Sequence, residues 1–270
     1  MPQPVQRSCD GSGKCSKVLS MQGKHSSTPI KAMMLAAGRG ERMRPLTDHC
    51  PKPLLQVRGK ALLDWQVEAL GRGGFHELVI NTAWLGEQIT NHLDLLRKLD
   101  GRELLSISYS HEGVDFGGAL ETAGGIARAL PLLGNVFWVL AGDVFVPGFE
   151  FSPAAVSRFE ASGRLAHLWL VPNPAHNPRG DFGLGADGLA LNLAPDDAAP
   201  RYTYSTIGLY RRAFFDALPA GNPQGVKAAL APLLRAAMDH GQVSAELYEG
   251  EWTDVGTPAR LAELNQTLTN

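Results

Sequence analysis

Hydrophobic positions in the first half of the chain form short apolar runs that alternate with longer amphipathic segments. The apolar runs, which are typical of buried strands, are residues 31–36, 78–81, 107–110 and 136–140, and the helical segments are residues 61–71, 85–99 and 122–130. Strands that are apolar on both faces and alternate with helices are typical of a parallel sheet covered on two sides. We therefore predict an α/β fold, a Rossmann-like three-layer sandwich with a mostly parallel central sheet and its ligands at the carboxyl ends of the strands.

The second half has a different pattern, in which proline and glycine turns interrupt the apolar runs. The predicted strands are residues 166–172, 182–193, 202–210 and 243–248, and the predicted helices are residues 213–218, 226–240 and a last one that starts at Thr257-Pro258. This half is predicted to be mixed α+β. We expect a single domain over residues 30–270, with halves at 30–145 and 146–270.

The amino-acid composition excludes several classes of protein but does not indicate a function. Residues 1–29 are rich in small and polar residues, which predicts a disordered tail. The net charge of -2 offers no basic surface for nucleic acid or for an anionic membrane. The 3 cysteines form no zinc or disulfide pattern, and no run approaches the roughly 18 apolar residues of a membrane helix. We expect a cytoplasmic protein, a monomer or a small homo-oligomer.

The strongest motif follows the first predicted strand and reads Leu-Ala-Ala-Gly-Arg-Gly-Glu-Arg-Met-Arg-Pro-Leu-Thr from Leu35 to Thr47. Its small residues allow the backbone to approach a ligand and to point several N–H groups at a polyphosphate. Arg39 and Arg44 add positive charge suited to phosphate oxygens. The string is neither a P-loop nor a Rossmann fingerprint, and for its glycines alone a tight turn is the alternative interpretation.

With the following Pro-Lys-Pro at 51–53, this string resembles the signature of the sugar nucleotidyltransferases. The resemblance implies a magnesium-dependent transfer of a nucleotidyl group from a nucleoside triphosphate to a sugar 1-phosphate. It also implies that 30–145 is a nucleotide-binding half and 146–270 a sugar-binding half. Lys52, held between two prolines, and Arg44 are the predicted catalytic residues, because cations on stiff segments can neutralise phosphate charge in the transition state.

Two carboxylates are candidates for the metal. Asp143 ends the apolar run that includes Val139, at the edge where a parallel sheet binds its ligands. Asp254 follows the last predicted strand, in Trp-Thr-Asp-Val-Gly-Thr-Pro. The resemblance pairs Asp143 with Asp254 on Mg²⁺, an ion that commonly takes one or two carboxylates together with phosphate oxygens and water. Each aspartate has a turn or capping role as its alternative interpretation.

Nucleotide contacts are expected at the glycine-rich loop and at two later segments. Glu121 and Thr122 precede two glycines that allow close approach of a flat base, although both side chains are also suited to cap the following helix. The predicted nucleotide-binding residues are Leu35, Ala36, Ala37, Gly38, Arg39, Gly40, Asn81, Glu121 and Thr122.

Two polar, turn-rich segments, residues 171–182 and 202–210, are expected to select the sugar. The predicted sugar-binding residues are Asn173, His176, Asp181, Gly183 and Ser205. Asparagine and aspartate beside proline and glycine are also common turn formers, so the individual contacts stay open.

The same segments, together with residues 80–86, resemble a narrower branch, the N-acetylmuramate-1-phosphate uridylyltransferases of cell-wall recycling. The chain departs from that branch at Ala123 and Thr206, where the branch favours glycine, and these departures bear on the sugar rather than on the chemistry. Transfer from UTP to N-acetylmuramate 1-phosphate is the expected reaction. The alternatives are a mannose-1-phosphate guanylyltransferase, a glucose-1-phosphate thymidylyl- or uridylyltransferase, and a catalytically silent nucleotide-sugar sensor.

Overall fold

The computed structural model describes residues 29–99 and 105–266, so the predicted tail lies outside the described residues except for Pro29. The strands of the described residues are β1 Lys31–Ala36, β2 Gln56–Val57, β3 Lys60–Ala61, β4 Glu77–Thr82, β5 Ser106–His111, β6 Val136–Ala141, β7 Val144–Phe145, β8 Ala166–Val171, β9 Phe182–Leu184, β10 Ala190–Leu191, β11 Arg201–Arg211, β12 Val243–Leu247 and β13 Thr253–Asp254. The helices are α1 Leu62–Arg72, α2 Gly86–Leu99, α3 Glu112–Phe116, α4 Glu121–Ala129, α5 Pro153–Ser162, α6 Leu230–Asp239 and α7 Pro258–Gln266. Among these helices none is long and apolar enough to cross a membrane.

The main sheet has nine strands, seven of them in the order β5-β4-β1-β6-β11-β8-β12. Strands β5, β4, β1 and β6 are parallel, and β11 runs antiparallel to both β6 and β8. Strand β9 extends the sheet beside the start of β11, and β10 pairs with β9. The chain leaves β1 toward β4 on one side and reaches β6 on the other, which makes the β1–β6 boundary a topological switch point where α/β sheets bind ligands.

Helices cover both faces of this sheet, as the apolar strands predict. In β1, Met33 packs in a cluster with Ile126 of α4, whereas the adjacent Met34 packs on the opposite face with Val67 of α1. Both methionines are fully buried. The predicted α/β class with a mostly parallel, mixed central sheet is confirmed.

Some predicted elements differ from the structure and one helix was not predicted, each for a local reason. The strand predicted at 182–193 is the hairpin of β9 and β10, because the chain turns between them at Gly188, whose φ is 77°. The helix predicted at 213–218 is a single 3₁₀ turn at Arg212–Phe215. Helix α5 was missed, although Ser152 caps it, Pro153 opens it and Gly163 ends it in the left-handed conformation.

The helix predicted at 226–240 begins only at Leu230, because the preceding residues bind another helix. Backbone N–H groups of Ala123 and Gly124, in the first turn of α4, donate to the carbonyl oxygen of Ala228. The side chain of Asn222 holds Val226 at both its N–H and its carbonyl oxygen. This extended segment therefore supplies acceptors to a helix start that has unpaired N–H groups.

One ion pair joins α1 to α2 beneath the sheet. His92 Nε2 donates to Asp64 Oδ1 over 2.7 Å. The hydrogen bond to Asp64 raises the pKa of His92, while burial opposes the shift. A histidine whose pKa is raised on folding stabilises the folded protein fully below its unfolded pKa, and this contribution is lost as the pH rises through the folded pKa.

We predict that the stabilising effect of His92 grows as the pH falls from 9 to 6. The free energy of unfolding of the wild type minus that of His92→Gln, measured by urea titration, should increase by up to about 1 kcal/mol over this range. In an Asp64→Asn background, where burial alone acts on the imidazole, the same difference should not increase as the pH falls. A wild-type difference that also fails to increase as the pH falls would contradict the assignment.

Candidate active site

A cavity of about 390 Å³ opens at the carboxyl edge of the sheet, at the switch point. It is lined by the ends of β1, β4 and β6, where Leu35 pairs in register with Asn81 on one side and with Ala141 on the other. The predicted residues that the structure brings to this cavity are Leu35, Ala36, Ala37, Gly38, Gly40, Lys52, Asn81, Glu121, Thr122 and Asp143. These ten residues, which come from five separate parts of the sequence, thus line one cavity.

The two glycines of the first loop meet different requirements. A Cβ at Gly38 would have no atom within 4 Å, so the space beside this residue is open to a ligand. Gly40 has a φ of 68°, and a Cβ there would lie 3.0 Å from Thr47 Cγ2. Gly38 therefore leaves room for a ligand, whereas Gly40 turns the chain into the following 3₁₀ helix.

A buried polar network forms the floor of the cavity. Asn81 Oδ1 accepts from the N–H of Ala36 over 2.8 Å, and Asn81 Nδ2 donates to Glu112 Oε1 over 2.6 Å. The second oxygen of Glu112 accepts from the N–H of Leu120 over 2.8 Å. Burial raises the pKa of Glu112, and the two hydrogen bonds oppose that shift by favouring the carboxylate.

Sequence reasoning missed Glu112, although a signal for it existed. The residue follows β5, the strand next to β4, so it stands at the same sheet edge as Asn81. It also lines the cavity and is fully buried. A carboxylate directly after a parallel strand was recognised in Asp143 but not here.

Lys52 and Asp143 both line the cavity and form an ion pair with each other. Lys52 lies in a 3₁₀ turn between Pro51 and Pro53, and only 8% of it is exposed. Asp143 follows β6, and a Cβ at the preceding Gly142 would lie 3.0 Å from the carbonyl oxygen of Leu35. The close approach at Gly142 places Asp143 beside the end of β1.

Arg39 and Arg44 are directed to a surface carboxylate rather than into the cavity. Arg39 Nη2 and Arg44 Nε both donate to Asp48 Oδ1, over 2.9 and 2.8 Å. Arg39 also stacks over the ring of Trp84 at 3.8 Å. The hydrogen bond from Arg39 contributes most to lowering the pKa of Asp48. It is Arg42, between them in sequence, that lines the cavity.

The two aspartates predicted for the metal lie on neighbouring backbone segments. Asp254 pairs in register with Val144, and the N–H of Val255 donates to the carbonyl oxygen of Asp143 over 2.9 Å. The carboxylate of Asp254 forms an ion pair with Arg260 and contacts His176 Nε2 at 2.8 Å.

Whether the site suits a metal ion depends on the donor groups that its side chains offer. Among the described residues no group of three or more His, Cys, Asp or Glu side chains could hold a metal ion. Two aspartates on neighbouring backbone segments, of which Asp143 lines the open cavity, nevertheless offer the oxygen ligands that Mg²⁺ prefers, and the ion completes its coordination with phosphate oxygens and water. The donor chemistry of Asp143 and Asp254 therefore fits a magnesium ion that binds together with a phosphorylated substrate.

A second cavity of about 550 Å³ adjoins the first and shares Leu35, Glu121, Thr122 and Ala141 with it. Of the five predicted sugar-binding residues, Asp181 lines this cavity. Glu121 lines both cavities and therefore lies at their junction. Its backbone has a positive φ of 59°.

The other four predicted sugar-binding residues have structural contacts instead. Asn173 Nδ2 donates to the carbonyl oxygen of Arg201, and His176 contacts Asp254. Gly183 lies in β9, where a Cβ would be 2.7 Å from a methyl carbon of Leu193. Ser205 is fully buried, and its Oγ accepts from the N–H of Ile207.

Thr206, one of the two departures noted in the sequence, lies at a bulge in β11 and lines the second cavity. Its φ of 67° lies in the left-handed region that favours glycine. Its Oγ1 is buried without a hydrogen-bond partner among the described residues. The threonine thus combines a strained backbone conformation with a buried, unpaired hydroxyl.

Comparisons with known proteins agree with this geometry. A family profile described as nucleotidyl transferase matches residues 31–270. An N-acetylmuramate alpha-1-phosphate uridylyltransferase from Neisseria meningitidis serogroup B is 48% identical over 87% of this chain and 96% of its own length. One from Caulobacter vibrioides is 33% identical over 88% and 99%. A crystal structure from Bacillus anthracis, described as a glucose-1-phosphate thymidylyltransferase, shares the fold with a TM-score of 0.70 over 88% of this chain and 94% of that one, at 19% identity.

We predict that Gly125→Ala breaks the buried network. The new Cβ would lie 2.5 Å from Glu112 Oε1 and 2.9 Å from Asn81 Nδ2, so that one of the two side chains must move. Overpacking of this kind should lower the free energy of unfolding by about 1–3 kcal/mol, measured by urea titration.

Two glycine variants serve as controls for this prediction. Gly71→Ala in α1 meets no atom within 4 Å and should leave the protein at least as stable as the wild type. Gly38→Ala should also preserve stability but weaken polyphosphate binding, because its methyl group occupies cavity space. Equal stability of Gly125→Ala and Gly71→Ala would contradict the role of the network.

Proposed function

This chain belongs to the nucleotidyl transferase family, and we propose that it transfers a uridylyl group from UTP to N-acetylmuramate 1-phosphate, with release of pyrophosphate. The 48% identity to the Neisseria meningitidis enzyme, over almost the whole of that protein, is the observation that carries this proposal. The product, a UDP-linked cell-wall sugar, assigns the protein to peptidoglycan recycling in the cytoplasm.

The two adjoining cavities support a reaction between two ligands. We assign the triphosphate to the first cavity, where Gly38 leaves open space and Arg42 and Lys52 supply positive charge. The second cavity, which is lined largely by apolar side chains, takes the sugar. Glu121 and Thr122 line both cavities and therefore lie where the two substrates meet.

Chemically, the reaction is an in-line displacement at the α-phosphorus of UTP. A phosphate oxygen of the sugar 1-phosphate forms the new P–O bond, the bond between the α-phosphorus and the bridging oxygen breaks, and the electron pair leaves with pyrophosphate. The nucleophile is already ionised, so no general base is required. Holding two anions together and neutralising their charge provides the main acceleration.

Lys52 is the residue to which we assign most of the charge neutralisation. It is buried, its backbone is stiffened by two prolines, and its amine reaches Asp143 at the edge of the sheet. A cation held in this way needs little reorganisation when charge shifts toward pyrophosphate. Arg44 was assigned the same role from the sequence, whereas the cavity-lining position of Arg42 makes Arg42 the better candidate.

We assign Asp143 and Asp254 to hold a magnesium ion, which when bound supplies further neutralisation of the phosphate oxygens. Asp143 lines the cavity, and the backbone hydrogen bond from Val255 holds the Asp254 segment beside it. Arg260 and His176 both contact Oδ1 of Asp254 and hold its carboxylate in place.

We predict that purified protein with magnesium releases pyrophosphate from UTP and N-acetylmuramate 1-phosphate. Release with GTP or dTTP, and with glucose or mannose 1-phosphate, should be at least tenfold slower. Asp143→Asn should lower kcat/KM on the order of 10²-fold, because it removes a charged ligand from the phosphate side.

Asp94→Asn, on the surface of α2, is the matched control and should retain wild-type kinetics. Release with another pair of substrates would keep the chemistry and reject the proposed sugar or base. No release with any pair would reject the enzymatic proposal in favour of a nucleotide-sugar sensor.

A further inference from the structure

The second cavity combines an apolar wall with a single basic group. Val139, Leu230 and Leu234 contribute to the wall, and Arg235 lies at one end beside Phe182. In the described part of the chain, Arg235 is the one basic side chain that lines this cavity. A cation next to apolar side chains is costly unless its surroundings or a ligand compensate for the lost water.

Neighbouring groups fix the position of the Arg235 guanidinium without neutralising it. Nη1 donates to Asn192 Oδ1 over 2.9 Å, and Nη2 makes a long contact of 3.5 Å with the carbonyl oxygen of Asp181. The guanidinium carbon lies 5.1 Å from the centre of the Phe182 ring. Asn192 is itself held by a hydrogen bond from its Nδ2 to Asp239.

The carboxylates of Asp181, which lines the same cavity, and of Asp239 accept hydrogen bonds from groups other than Arg235. Asp181 Oδ2 accepts from the N–H of Tyr204 over 2.8 Å, and Asp181 Oδ1 accepts from Asn177 over 3.2 Å. Asp239 accepts from Asn192. Arg235 forms no ion pair within the described ranges 29–99 and 105–266, while a guanidinium has five N–H donors in a planar fork.

We propose that Arg235 binds the carboxylate of the sugar substrate and thereby selects a muramate over the corresponding glucosamine. This inference rests on the proposed function, because N-acetylmuramate differs from N-acetylglucosamine by the lactyl ether that carries a carboxylate. The planar guanidinium can engage both oxygens of that carboxylate. The apolar wall then accommodates the rest of the lactyl group.

The position of Arg235 explains how the second cavity would discriminate between a sugar that carries a carboxylate and one that does not. A carboxylate moved from water into a largely apolar cavity needs a charged partner, so a sugar acid binds here only if the guanidinium receives it. A sugar 1-phosphate whose sugar carries no carboxylate leaves Arg235 as it is in the free protein and gains no affinity from it. Arg235 therefore contributes to specificity and stands apart from the phosphate-binding cations Arg42 and Lys52.

Steady-state kinetics of Arg235→Gln test the proposal. With N-acetylmuramate 1-phosphate and UTP, kcat/KM should fall about 10- to 100-fold, mainly through KM, as a charge-assisted hydrogen bond is lost. With N-acetylglucosamine 1-phosphate the variant should differ from the wild type by less than about threefold. Arg235→Lys, which keeps the charge but not the fork, should recover part of the preference.

A substrate whose carboxyl group is blocked provides a second, independent test. The methyl ester of N-acetylmuramate 1-phosphate should be a poor substrate for the wild type and should be used equally well by Arg235→Gln. Arg97→Gln removes the same charge from α2, whose residues line neither cavity, and should retain the wild-type preference. Thermal unfolding of all variants checks that they are folded.

Calorimetric titration of the sugar phosphates separates this inference from the proposed function. Equal losses with both sugars, or no loss with either, would overturn the role of Arg235 while leaving the uridylyl transfer intact. A wild type that turns over no sugar yet binds N-acetylmuramate 1-phosphate at least tenfold more tightly than Arg235→Gln would reject the proposed reaction and retain the carboxylate site.

Discussion

At the carboxyl edge of the sheet, the side-chain amide of Asn81 links three backbone segments through hydrogen bonds: the end of β1, the end of β4, where Asn81 itself lies, and, by way of Glu112, the start of α4. It accepts from the N–H of Ala36 and donates to Glu112, which in turn accepts from the N–H of Leu120. Each of these polar groups is buried, so the loss of one partner leaves another unsatisfied. The end of β1, the end of β4 and the start of α4 are therefore held in one arrangement, which the ligand cavity requires. Gly125 permits that arrangement because no other residue leaves room for the two side chains.

Local charge pairing decides which cations reach the cavity, since the chain as a whole carries a net charge of only -2. Asp48 engages Arg39 and Arg44 on the surface, and the lowered pKa of Asp48 reflects these contacts. Arg42 and Lys52, by contrast, line the cavity. The same short segment thus contains surface ion-pair arginines, Arg39 and Arg44, and a cavity-lining one, Arg42, although Arg42 lies only two or three positions from them in sequence.

The two adjoining cavities differ in charge and in lining. Glycines and the cations Arg42 and Lys52 line the first, whereas the second has largely apolar walls, with Arg235 as its one basic group among the described residues. Thr206, which also lines the second cavity, has a left-handed φ that glycine would adopt without strain.

By itself, the sequence determined the α/β class, the glycine-rich loop after β1 and the family, because these depend on the periodicity of apolar residues and on motifs of consecutive residues. Gly38, Gly40 and Lys52 were found in this way, since their backbone requirements are local. Only the tertiary structure decided which side chains meet. Arg42 rather than Arg44 lines the cavity, Glu112 joins Asn81, and Arg235 reaches the second cavity from a helix more than fifty residues after Asp181. Such contacts depend on how strands and helices from distant parts of the chain pack, and a residue's neighbours in sequence carry little information about them.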